Sequence, residues 1–180
     1  MTFDFPGYEL NFIQREPCRD GSAHITSYIY KFFSPVTGYQ YIVRAEYHTT
    51  NVFTIKFYCK KDRSSEYKYS LIKNKGDLGN IIMTCAKVIP LLLNQFPSAS
   101  FAFAAARSFD TKSKTIEPLC RTQRYRLYCE MIPKKFGQQT FSHHINDHIS
   151  SYLLYNRQSN FSLNEIQDMF RATYNGTDWI

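Results

Sequence analysis

A chain of 180 residues with 43% hydrophobic and 21% charged side chains is long enough for one sizeable core, too short for two comfortable domains and too apolar for general disorder. Its 22 lysines and arginines outnumber 15 acids to give a net charge of +7, which permits an anionic partner, nucleic acid or an acidic protein surface, without requiring one. Five cysteines, Cys18, Cys59, Cys85, Cys120 and Cys129, form an odd set with no C-x-x-C pair, which fits reduced thiols in the cytoplasm better than a disulfide framework.

The opening MTFDFPGYELNF has neither the basic start nor the long apolar run of a signal peptide. The most apolar stretch, NIIMTCAKVIPLLL, is broken by Lys87 and Pro90 and is too short to cross a bilayer, so no membrane partner is expected. We expect one domain over residues 1–180, with a strand meander in 1–72 and an α/β half in 73–180.

In the first half, runs rich in β-branched and aromatic residues begin at Tyr8, His24, Tyr39, Asn51 and, more weakly, Tyr67. The breaks between them carry turn chemistry, Arg19-Asp20-Gly21, Pro35 to Gly38 and Thr49-Thr50, and connections this short imply antiparallel neighbours. From Ile81 to Phe96 the apolar period becomes helical, which predicts about five turns with a kink at Pro90.

SASFAFAAA follows, small and apolar enough for a central strand covered on both faces. A polar loop over 107–119, a helix opening near Cys120, a hairpin from TFSHHIN and SSYLLYN, and a last helix from Leu163 to Thr173 complete the order. Ser162 and Glu165 form the S-x-x-E capping box of that last helix. The fold class is α+β, with helices packed on a mainly antiparallel mixed sheet, β-β-β-β-(β)-α-β-α-β-β-α.

The stretch CRTQRYRLYCEM raises a question of charge. A wheel started at Cys120 places Arg121 and Arg124 on the apolar face with Tyr125, Leu127, Tyr128 and Met131, and turns Gln123, Arg126 and Glu130 outward. Two cations at a helix start oppose its dipole. They call for an ion pair with Asp110 or Glu117, a snorkelling geometry, or a bound anion gripped by paired guanidinium groups.

The loop, helix, strand, helix and two-stranded end running from Lys73 to Asn156 resemble the C-terminal half of the GCN5-related N-acetyltransferase fold. That resemblance implies a splayed-strand cleft for acetyl-CoA, with the pyrophosphate held by backbone amides of a glycine loop at a helix N-terminus. The loop here reads Lys73-Asn74-Lys75-Gly76-Asp77-Leu78-Gly79, so Gly76, Gly79 and Asn80 would form the cradle, while Lys73 and Leu78 depart from the family pattern. Tyr128 would fall where the family's tyrosine protonates the leaving thiolate. Arg121 and Arg124 would then replace the small or amide residues that leave room for the cofactor arm. The pattern P-x-A-x-F-x-F at Pro97 to Phe103 with R-x-R-L-Y at Arg124 to Tyr128 also resembles a bacterial family with no function attached to it.

Two further constellations carry chemistry. His143, His144 and His148 in SHHINDH lack the H-E-x-x-H arrangement and read as hairpin residues, so no metal site is expected. Basic and aromatic residues interleave from Tyr28 to Tyr69, including Tyr39, Lys61, Arg63 and Lys68, and Lys31, Arg44, Lys56 and Lys60 are the candidate phosphate contacts on a sheet that could stack unpaired bases. The expected function is a non-catalytic binding module on an acetyltransferase-like fold, contacting an anionic partner and using no cofactor. A divergent acyl-CoA-dependent N-acyltransferase is the alternative, and an antagonist of a partner protein the third.

Overall fold

The computed structural model describes residues 5–71, 76–104 and 106–174. Four strands come first, β1 Asn11–Pro17, β2 His24–Ser34, β3 Tyr39–His48 and β4 Val52–Cys59, each antiparallel to the one before it. A 3-10 turn at Lys60–Asp62 ends this meander. Two helices, α1 Leu78–Ala86 and α2 Val88–Leu93, then carry the chain back across the sheet to β5 Ser100–Ala104. Because that connection is a helical crossover, β5 lies parallel to β4.

After β5 come a short pair, β6 Phe109–Asp110 and β7 Thr115–Ile116, then helix α3 Gln123–Lys135, the hairpin β8 Phe141–Asn146 with β9 Ser151–Asn156, and helix α4 Leu163–Thr173. Seven strands make one sheet in the order β1-β2-β3-β4-β5-β9-β8, antiparallel everywhere except between β4 and β5. The architecture is α+β on a mostly antiparallel mixed sheet.

Period-two alternation decides what each face of the sheet meets. One face presents Tyr28, Tyr30, Phe32, Val43, Phe53, Ile55, Phe57, Phe101, Phe103 and Leu154 to Ile81, Ile82, Cys85 and Ile89 of the crossover helices and to Tyr125, Tyr128 and Ile132 of α3. The other face is smaller, with Val52, Ala102 and Leu153 covered by Ile166, Met169 and Phe170 of α4. Ala99 to Phe103 are buried because helices lie over both faces of β5.

Three expectations change. The helix expected to kink at Pro90 is divided at Lys87: proline lacks the amide that would bond the Ala86 carbonyl, so α2 restarts with Pro90 in its first turn, where that amide is not needed. The weak strand at Tyr67 is a run of turns ending in a single parallel bridge from Leu71 to Phe109. The third change is at the start of α3, whose cap is Thr122: its side chain accepts from the Tyr125 amide at 3.3 Å. The capping box at Ser162 and Glu165 and the span of α4 agree with the sequence.

Candidate anion-binding site

The N-terminus of α1, where the resemblance would place a pyrophosphate, is filled by the chain's own beginning. Gly79 faces Phe5 so closely that a Cβ there would sit 2.6 Å from the Phe5 ring. Asn80 is not free to cradle a phosphate: its Oδ1 accepts from the Gly7 amide at 3.2 Å and its Nδ2 donates to Asp77 Oδ1 at 3.0 Å. Asp77 is 4% exposed and accepts from the hydroxyls of Tyr8 and Ser34, so a carboxylate already stands at this helix end. Gly76 forms the preceding turn at φ +85°, and Lys73 lies outside the described residues.

The wheel is half right about the arginines. With Thr122 as the cap, Arg121 precedes the helix, in the left-handed region at φ 52°, and its guanidinium is exposed at 3.8 Å from Asp147. Arg124 is inside, 6% exposed, and neither Asp110 nor Glu117 pairs with it. It donates to the Tyr69 carbonyl and, at 3.4 Å, to the Leu71 carbonyl, and its guanidinium carbon lies 4.7 Å from the Phe57 ring centroid. Burial lowers its pKa, opposed by neighbours that include Tyr128 and Cys85.

These contacts fill the space beside the far end of β4. The β4 to β5 ladder ends at Ile55 and Phe103, although β4 runs on to Cys59. Beside that unpaired length lie Tyr69 to Leu71, with the Tyr58 and Tyr69 rings edge to face at 5.4 Å, Leu71 bridged to Phe109, and Arg124 bonding the two carbonyls from behind. Tyr128 is buried against Phe103, ring centroids 5.0 Å apart, and burial raises its pKa far above a useful range for a general acid.

The basic interleaving of the first half resolves into two groups. Arg44 and Lys56 belong to an ion-pair network on the α4 side of the sheet. Lys56 Nζ is 2.9 Å from Glu46 Oε2, and Arg44 reaches Glu16 at 3.2 Å and Ser27 at 3.2 Å, so both charges are spent within the molecule instead of facing a phosphate backbone. Buried His48 lies in the same network, its Nε2 2.8 Å from the Tyr174 hydroxyl, whose oxygen lies 3.3 Å from Glu46 Oε2. Burial lowers the His48 pKa to about 4. Burial would raise that of Glu46, but Lys56 outweighs it and holds the carboxyl below its usual range.

Of the aromatic residues in the interleaved run, Tyr28, Tyr30 and Tyr41 are core residues. Lys31 is exposed on β2. His143 meets the Tyr152 hydroxyl, His144 meets Ser142, and His148 is an exposed turn residue; among the described residues no three metal-ligating side chains come together.

The second group remains open to solvent. Gly38 in the turn before β3, with Tyr39 and Gln40 at the start of that strand, faces Cys59, Lys60, Lys61 and Arg63, and together they line a cavity of about 400 Å³. Gly38, at φ +72°, allows the tight turn that forms one wall. The 3-10 turn supplies the charges: Lys60 is held by Gln40 Oε1 at 2.9 Å, and Lys61 Nζ lies 5.5 Å from the Tyr39 ring centroid. Asp62, the acid of this turn, is not among the lining residues.

Of the four predicted phosphate contacts, only Lys60 lines this cavity. Lys61, Arg63 and Tyr39 stood in the interleaved run but gave no local sign of converging, because the register that pairs Tyr41 with Cys59 is a tertiary fact. The chain matches no protein family model, no curated protein and no solved structure.

Proposed function

We propose that the protein is a non-catalytic binding module on an acetyltransferase-like arrangement, and that it engages an anionic partner. The observation that supports this reading is that Tyr69 to Leu71 lie beside the end of β4 that β5 leaves unpaired, fastened by buried Arg124. The order of crossover helices, parallel strand, helix and hairpin from residue 76 to 156 supports the acetyltransferase-like arrangement. Phe5, Gly7 and Asp77 at α1, together with the burial of Tyr128, speak against the alternative of acyl transfer. The net charge of +7 supports an anionic partner.

Thermal unfolding with and without millimolar acetyl-CoA tests the first half of the proposal. A cofactor present at a hundredfold its dissociation constant stabilises by about 2.7 kcal/mol, so an unchanged transition is the expected result and a clear rise restores the acyltransferase. Retention on heparin, a polyanion, tests the second half; elution at the salt concentration of a neutral control would remove the anionic partner.

A further inference from the structure

We propose that the cavity between the start of β3 and the 3-10 turn after β4 is a phosphate site, taking the phosphate of a nucleotide or of a single nucleic-acid strand. The inference rests on the binding-module reading and names the place and chemistry of its contact.

Three cations, Lys60, Lys61 and Arg63, line the same concavity with no acid among the lining residues. Such an arrangement raises the local potential for an anion, and the cost of holding like charges together is relieved when one binds. The volume, about 400 Å³, lies in the usual range for small-ligand sites, roughly 300–1,000 Å³, and the site is wide open to solvent, so a phosphate can reach it while still attached to a strand. Arg63 brings the planar fork that matches phosphate oxygens, and the lysines bring point charges.

Gln40 also fixes one of these cations in place before any ligand arrives. It bonds Lys60 Nζ at 2.9 Å, which reduces the side-chain freedom lost on binding. The aromatic wall is Tyr39, whose ring lies beside Lys61 and supplies an apolar surface next to the charges. Of the other candidate cations of the meander, Arg44 and Lys56 are already paired with Glu16 and Glu46, and Lys31, though exposed, does not line this cavity.

Fluorescence anisotropy of labelled oligothymidylate, AMP and polyglutamate, each read between 50 and 200 mM salt, with unlabelled AMP also used to compete with the oligothymidylate, tests this on the full chain. Neutralising about three phosphates of a single strand gives a log–log slope near −2, so affinity is expected to fall about fifteenfold across that range. The double substitution Lys60→Ala with Arg63→Ala is expected to weaken binding at least tenfold and to flatten the slope, with the melting temperature unchanged because both side chains are exposed. Lys31→Ala should bind as the parent does. Competition by AMP assigns the site to free nucleotides, and its absence assigns it to strands.

Salt-sensitive binding that survives the double substitution overturns the site and leaves the binding-module reading standing. Polyglutamate binding that the double substitution abolishes, without any binding of oligothymidylate or AMP, overturns phosphate in favour of an acidic protein. No binding of any of the three anions overturns both.

Discussion

Replacing Arg124 by methionine tests whether the guanidinium fastens Tyr69 to Leu71 beside the end of β4. Methionine keeps most of the stem volume but removes every donor, leaving the Tyr69 and Leu71 carbonyls without the bonds they now accept. A carbonyl stranded out of reach of water costs about 1–3 kcal/mol, and loss of the cation from the Phe57 ring adds roughly 0.5–1 kcal/mol. Relief from burying a charge offsets part of this, and both carbonyls are only part-buried, so the net loss is expected at about 2–4 kcal/mol.

Urea unfolding followed by far-UV dichroism reads the change in stability. In a thermal scan the same loss lowers the midpoint by roughly 5–15 °C for a chain of this size. Because the segment is fastened locally, proteolysis near Tyr67 to Leu71 should accelerate more than global unfolding does. Lysine at 124 restores the charge but not two directed donors, and should recover less than half of the loss. A methionine variant as stable as the parent, or more stable, would refute the reasoning, since it would mean that the buried charge costs more than its bonds return.

Three other outcomes follow from single contacts. The folded His48 resists protonation down to about pH 4 while the unfolded imidazole titrates near 6.5, so stability should be undiminished above pH 6.5 and fall by about 3 kcal/mol as pH drops to 4. His48→Gln should remove that component of the acid dependence, and an unchanged pH profile would count against it. Ser162→Ala should cost about 1 kcal/mol in chemical denaturation, because both reciprocal bonds of the box are present. Gly79→Ala should displace Phe5 and expose the chain's beginning to protease, with little change in global stability because alanine favours the helix by about 1 kcal/mol.

Strands β1 to β5, the β8–β9 hairpin and the last helix were legible because local pattern and tertiary demand agree there, whereas the run at Tyr67 and the short β6–β7 pair were not. The start of α3 was not, and one residue explains why. Thr122 is a good cap, but a wheel begun at Cys120 treats it as an interior position, and every side chain before it is then misplaced. Arg121 left the apolar face for that reason, whereas Arg124 stayed on it. Its partners could not be foreseen, since they are backbone carbonyls more than fifty residues away in sequence, which no charge pattern reveals. The ion pairs of Lys56 and Arg44 were hidden for a related reason: Glu46 and Glu16 stand on other strands than their partners, and only the strand register brings the opposite charges together.

The single parallel pair in the sheet has a consequence for any attempt to divide the chain. Cutting near residue 72 would separate elements of different type, but it would also part β4 from β5 and leave each fragment with a bare, strongly apolar strand along one side. Val52 to Ile55 and Ser100 to Phe103 carry little charge and no proline, so each exposed edge would recruit further copies into mixed aggregates. Fragments for study are therefore better made together, so that the two edges meet each other first.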